Sequence, residues 1–259
     1  MLQGKTGRES HQSGRNGRSC NPVDKMIKAV FFDLWDTLVT GGVSQETLYT
    51  ADKHAWEYLH NKGYSLSFEE YRKRKSDCFI KYEKVVHECK LHMSPETAFK
   101  EFMFKDIDIT EEDLRKLVNI HEIYDFYWDL SSNAEQVLKV LKGKGCKIAL
   151  VTNSWLRQSI YMLKKSNLYD YFDAIIISCD LGFGKPDRRI FEIAAEKLDV
   201  KLSECVHVGD KHVQDIVGAY EAGIKCTIAI EPFNKKEGLA PPTAVVKNLS
   251  EIVPIIFKN

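Results

Sequence analysis

No stretch of this 259-residue chain approaches the ~20 consecutive apolar residues of a membrane-spanning helix, so a soluble protein is expected. The seven cysteines, at 20, 78, 89, 146, 179, 205 and 226, contain no Cys-x-x-Cys pair. An odd, scattered set excludes a disulfide framework or a structural zinc site and points to a reducing, cytoplasmic setting. The eight histidines show no metal-ligand spacing, and His87 and His92, in a polar stretch near a helix end, read as surface residues. Net charge is absent as well: 37 Lys and Arg balance 37 Asp and Glu. That balance removes the electrostatic argument for nucleic acid or an anionic membrane as partner. What remains is 44% apolar and 11% aromatic, enough for a sizeable core in one large domain or two modest ones.

Residues 1–25 are rich in Gly, Ser, Arg, Asn and Gln without apolar periodicity, and such a segment is expected to stay disordered. It is Arg-rich and acid-poor but has no amphipathic face, so it reads as a tag or an upstream start rather than a transit peptide. Met26-Ile27-Lys28 reads as the natural beginning of the first strand.

The chain then runs Ala29-Val30-Phe31-Phe32 straight into Asp33. A short unbroken apolar run reads as a strand buried on both faces, as in a central strand of a parallel sheet. The backbone is expected to bend at Thr40-Gly41-Gly42. From Ser44 to about Leu130 the pattern reads as helical throughout, perhaps four helices. Ser67 and Thr110 have capping-box spacing, and Ser94-Pro95 puts proline at a first helical position. The run Arg72-Lys73-Arg74-Lys75 reads as a solvated helix face. Beyond Leu130 strands alternate with helices: 132–142, then 147–152; 154–166, then 174–178; 188–198, then 205–210; 213–222, then 226–230. A short strand at 244–246 and a helix at 250–257 close the chain. This is the pattern of an α/β, doubly wound parallel sheet, with the helical stretch inserted after the first strand as a lid over its carboxyl end. The expected division is a core of residues 26–43 and 131–259 and a helical cap of 44–130.

Polar residues gather at the strand ends, where open α/β sheets bind ligands. Asp33 ends the first strand. Thr152-Asn153-Ser154 ends another and opens a helix, so hydroxyl and N–H groups can point at an anion. Lys185-Pro186-Asp187 follows Gly182-Phe183-Gly184, with Asp187 a helix N-cap candidate. Gly209-Asp210 ends a fourth strand, and Asp215 lies on the next helix's first turn. Each alone also fits a structural role. Together they set carboxylates, a lysine and a hydroxyl at one sheet edge, a set suited to Mg²⁺ and a phosphoryl group.

The order Asp33-x-x-x-Thr37, Thr152, Lys185-Pro186, Gly209-Asp210-x-x-x-x-Asp215 resembles the four motifs of the haloacid dehalogenase (HAD) superfamily, over residues 27 to 230. The resemblance implies Asp33 as nucleophile, Thr152 on the phosphoryl oxygens with Asn153 beside it, and Lys185 neutralising nucleophile and phosphate. It implies Mg²⁺ on Asp33, Asp210, Asp215 and the backbone carbonyl of Trp35, a C1-type helical cap, and core strand order 5-4-1-2-3. The expected substrate is a small phosphorylated metabolite. Tyr49, Tyr71, Tyr82, Tyr124 and Trp128 are its candidate cap contacts, most of them also fitting the cap core. One position departs from the pattern: Trp35 stands where the family's phosphatases carry an acid/base aspartate, and Asp36 follows it. Indole transfers no proton at neutral pH. Three readings therefore stand: a Mg²⁺-dependent phosphohydrolase that is slow or draws its acid from elsewhere, a 2-haloacid dehalogenase, and a phospho-ligand-binding regulatory protein without significant turnover.

Overall fold

The computed structural model describes residues 27–233 and 235–257. The expectation for residues 1–25 and the surface position expected for the His87 side chain lie outside what is described.

Six parallel strands form one sheet: β1 (Ala29–Phe32), β4 (Lys147–Thr152), β5 (Ala174–Ile177), β6 (Cys205–Gly209), β7 (Cys226–Ile230) and β8 (Ala244–Val246), in the spatial order β5-β4-β1-β6-β7-β8. Counted in core order this contains the expected 5-4-1-2-3, with β8 added at one edge. β1 is central, with Phe32 in register with Leu150 on one side and Val208 on the other. Its side chains alternate between two cores. Val30 and Phe32 join one apolar cluster, Ala29 and Phe31 another, and all four are fully buried. That two-sided burial is why the segment reads as an uninterrupted apolar run. Helices α5 (Ala134–Gly143), α6 (Leu156–Lys165), α7 (Ser178–Leu181), α8 (Arg188–Lys197), α9 (Gly218–Ala222) and α10 (Ile252–Ile256) accompany the strands. A π-helical stretch, His212–Val217, leads into α9. Among the described residues no helix is long and apolar enough to cross a membrane.

Between β1 and β4 lie α1 (Gln45–Asn61), α2 (Phe68–Lys84), α3 (Pro95–Ala98) and α4 (Glu111–Tyr124), with π-helical stretches at Val85–Cys89 and Phe99–Met103. Ser67, Ser94 and Thr110 cap α2, α3 and α4 by accepting the N–H of Glu70, Thr97 and Asp113. These helices bury a third apolar cluster, which reaches the sheet layer through Trp155, stacked with Phe79 at 5.8 Å.

The stretch to Leu130 is not helical throughout. Phe126–Leu130 is a strand, β3, antiparallel to β2 (Val39–Val43). The Gly41-Gly42 pair that suggests a bend sits inside β2. A Cβ on Gly41, whose φ is +155°, would lie 2.2 Å from the Tyr127 carbonyl oxygen, so close backbone approach accounts for that glycine. Phe126-Tyr127-Trp128 supplies the aromatic content strands favour.

The basic run is not one solvated face either. Lys75 is buried and bonds Asp52 at 2.7 Å and Asp125 at 2.8 Å. His92, expected at the surface, is also buried. Of the aromatic candidates, Tyr71 is core and Tyr82 packs edge-on against Trp155, while Tyr49 and Tyr124 are exposed.

Candidate active site

Asp33 is the first residue beyond β1, and its N–H donates to the Val208 carbonyl at 2.9 Å, continuing the sheet register. Its carboxylate therefore emerges at the carboxyl edge, between the ends of β4 and β6. Lys185 reaches it from the loop before α8: its Nζ lies 2.6 Å from Asp33 Oδ1 and 2.6 Å from Asp215 Oδ1. The lysine is aimed by Asn153. The Asn153 amide oxygen accepts the Lys185 N–H at 2.7 Å, and its amide nitrogen donates to the Lys185 carbonyl at 2.8 Å. A Cβ on Gly184 would sit 2.4 Å from that amide oxygen, so only glycine permits this approach. Asn153, expected beside the phosphate, thus clamps the lysine's backbone.

Asp215 is held from three sides. Its Oδ1 also meets His207 Nε2 at 3.0 Å, and its Oδ2 accepts the Lys211 N–H at 2.9 Å. A Cβ on Gly209 would fall 2.4 Å from Asp215 Cγ, which explains the glycine before Asp210. Asp210 pairs through Oδ2 with Lys211 Nζ at 2.5 Å, while its buried Oδ1 has no hydrogen-bond partner among the described residues. Thr152 is buried at the end of β4, next to β1. Ser154 turns elsewhere than expected: its N–H donates to Ser178 Oγ at 3.2 Å, and its hydroxyl accepts from Ser159 at 2.9 Å.

Burial and ion pairing oppose each other here. Burial pushes the Asp33 carboxyl up and outweighs the Lys185 ammonium beside it. For Asp215, Lys185 and His207 overcome burial and hold the carboxyl well below the usual range. Burial pushes Asp210 up to about 6, against the pull of Lys211. Lys185 resists its own burial because Asp215 and Asp33 flank it, so it stays charged. Burial lowers His207 and favours its neutral imidazole.

The Trp35 indole is half-buried and packs against the Phe126 ring at 5.6 Å, part of the apolar core rather than the polar edge. Asp36 has φ +55° and meets Lys211 Nζ at 3.5 Å. It lines a different cavity, with Thr37, Thr40 and Ser131. A cavity of about 590 Å³ is bounded by Lys90, His92, Asn153, Lys185, Asp210 and Lys211 among others. His207, Lys211 and His92 escape sequence reasoning. The signal for the first two lay beside Asp210 in Val206-His207-Val208-Gly209-Asp210-Lys211; nothing local marked His92.

The haloacid dehalogenase-like hydrolase family profile matches residues 27–223 of this chain, which is most of its length. The chain belongs to that family. The HAD-like hydrolases similar to it include glyceraldehyde 3-phosphate phosphatase of Methanothermobacter thermautotrophicus, 27% identical over 82% of this chain and 89% of the relative. Pyrophosphatase PpaX of Bacillus pumilus is 25% identical over 90% of this chain and 98% of the relative. Pyrimidine 5'-nucleotidase YjjG of Escherichia coli is 32% identical, but over only 49% of this chain and 56% of that protein. Among solved structures, a HAD phosphatase from Thermococcus onnurineus matches with TM-score 0.62 at 25% identity, covering 89% of this chain and 98% of its own. The family makes this chain a hydrolase with the HAD-like α/β core.

Proposed function

We propose that this hydrolase is a Mg²⁺-dependent phosphohydrolase acting on a small phosphorylated metabolite through an aspartyl-phosphate on Asp33. Residues 44–130 act as a cap over a core of 26–43 and 131–259. The observation that carries the reading is the Asp33 carboxylate at the central strand end, bridged by Lys185 to Asp215 with Asp210 alongside. Phosphatases among its relatives support the same class of reaction.

Asp33 attacks phosphorus, the bond to the leaving oxygen breaks with its electron pair going to that oxygen, and water then hydrolyses the acyl phosphate. Lys185 offsets the negative charge of nucleophile and phosphoryl group, and the Thr152 hydroxyl donates to a phosphoryl oxygen. The donor set fits a hard cation. Asp33, Asp210 and Asp215 offer carboxylate oxygens within 4.8 Å of one another, and the buried Oδ1 of Asp210 has no partner among the described residues. These three carboxylates, with the Trp35 carbonyl, would hold Mg²⁺, which when bound supplies positive charge against the phosphoryl oxygens.

Trp35 favours a second reading, a phospho-ligand-binding regulatory protein without significant turnover, because no proton donor stands at that position. One assay separates the possibilities. Phosphate release from a panel of small phosphomonoesters should require Mg²⁺ and stop with EDTA. Phosphate binding without release on any substrate would replace the proposal with the second reading. Halide release from 2-haloacids with EDTA present would replace it with a dehalogenase.

A further inference from the structure

Among the described residues four histidines are buried, and they differ in what their rings touch. His121 lies 2.6 Å from Tyr71 Oη and 3.0 Å from Lys75 Nζ. His207 meets Asp215. His212 bonds at both ring nitrogens, with the Ala240 carbonyl at 2.9 Å and the Lys236 N–H at 2.7 Å, so its ring pins the loop after β7. The fourth, His92, is 8% exposed, and its ring nitrogens make no hydrogen bond among the described residues. Neither of its ring nitrogens is among the fully enclosed polar atoms that lack a partner, so the ring reaches open space rather than a sealed interior. His92 lines the same cavity as Lys185 and Asp210.

The placement of His92 is also fixed. Its N–H donates to the Gly182 carbonyl at 3.1 Å, tying the segment before α3 to the loop that carries Lys185. A Cβ on Gly184 would lie 2.8 Å from His92 Cε1, so the ring packs directly on the residue preceding that lysine. The proton donor missing at position 35 cannot come from Asp36, which pairs with Lys211 and lines another cavity.

Resting on the phosphohydrolase reading, we propose that His92 is the catalytic group that moves the proton in both half-reactions, in place of a carboxylate at position 35. In the first, the imidazolium N–H protonates the leaving oxygen as its bond to phosphorus breaks and the Asp33–phosphorus bond forms. In the second, the neutral imidazole takes a proton from the water that attacks the aspartyl-phosphate. That transfer regenerates the imidazolium and releases phosphate and free Asp33. Burial and the nearby Lys90 ammonium favour the neutral ring that the second half-reaction needs. A bound phosphoryl group brings the negative charge that favours the protonated ring in the first.

The test compares leaving groups. A nitrophenolate departs without a proton, whereas an alkoxide does not. In His92→Gln, kcat/KM, which reports attack by Asp33, should fall by about 10²–10⁴-fold on glycerol phosphate and less than about tenfold on p-nitrophenyl phosphate, while the slowed hydrolysis of the aspartyl-phosphate lowers kcat on both. Free imidazole should restore glycerol phosphate turnover in His92→Ala, and both variants should melt within a few degrees of the parent. Equal losses of kcat/KM on the two substrates, or no imidazole rescue, would overturn the assignment of His92 while leaving the phosphohydrolase intact. A parent that releases phosphate from neither substrate would overturn the phosphohydrolase reading itself.

Discussion

The molecule builds the same ionic triangle twice. At the sheet edge, Lys185 bridges Asp33 and Asp215, both at 2.6 Å, and His207 leans on Asp215 at 3.0 Å. Among the helices, Lys75 bridges Asp52 at 2.7 Å and Asp125 at 2.8 Å, and His121 leans on Asp125 at 3.1 Å. In both triangles burial lowers the histidine, favouring its neutral form. Composition and geometry alone do not tell them apart, and both sets of acids come close enough together to suggest a metal.

Their surroundings distinguish them. The helical triangle is sealed by Tyr71 on His121 and by Arg72 on Asp52 at 3.1 Å, with the lysine filling the space between the carboxylates. The sheet triangle opens on a cavity and adds a third carboxylate, Asp210. The lesson is that a buried lysine–carboxylate cluster is weak evidence of function, and that access to a cavity is what makes one reactive. A sealed ion pair has a structural role, and removing one partner exposes the cost of the other's burial.

Matched substitutions in turnover assays separate the two triangles most strongly. Asp33→Asn should cost on the order of 10⁴–10⁶-fold in kcat, as expected for removal of a nucleophile. Asp52→Asn, at the equivalent corner of the helical triangle, should change kcat per folded molecule less than about tenfold. Comparable losses from the two would mean that the helical cluster takes part in the reaction. Lys75→Met sharpens the other side. It leaves Asp52 and Asp125 buried without their cation and should lower unfolding free energy by about 3–5 kcal/mol in a denaturant titration. A variant as stable as its parent would show that the helical triangle is not a structural pair. Magnesium should separate them next. At about 100 times its dissociation constant it should stabilise the parent by about 2.7 kcal/mol. That gain, read as a melting shift, should survive in Asp52→Asn and vanish in Asp210→Asn.

A further effect concerns an acid of the helical layer outside the triangle. Burial pushes Glu122 up to about 8 from an ordinary 4.5, so the fold favours its neutral form. Its contribution is full below about pH 4.5 and is lost as pH rises toward 8. Glu122→Gln should therefore remove the decline in stability over that window, measured by denaturation at several pH values. An unchanged decline would mean that other groups set it.

Much of this was legible from sequence because strand ends announce themselves. The bounds 147–152, 226–230 and 244–246 coincide with β4, β7 and β8. Asp33, Thr152 and Asp210 lie at strand ends that the parallel register forces onto one edge, so locating the strands brought them together. What escaped depends on contacts distant in sequence. β2 and β3 pair across the whole helical segment, and neither has a local turn to betray it. Lys75 sits in a run of charges whose neighbours are solvated, and only the packing of α1 and α4 against α2 shows that it is enclosed. His92 carries no periodic signal, because its burial comes from the loop of Gly182 and Gly184 lying against it. The partner that Asn153 takes was not legible either: its amide bonds the Lys185 backbone from 32 residues away.

Covalent chemistry on Asp33 is read from intact mass measured during turnover. With Mg²⁺ and acetyl phosphate, rapidly acid-quenched parent protein should carry one added phosphoryl group that Asp33→Asn lacks. His92→Gln should accumulate more of the adduct than the parent. A phosphoryl group on Asp33→Asn, or neither adduct nor phosphate release from a folded parent, would contradict the account.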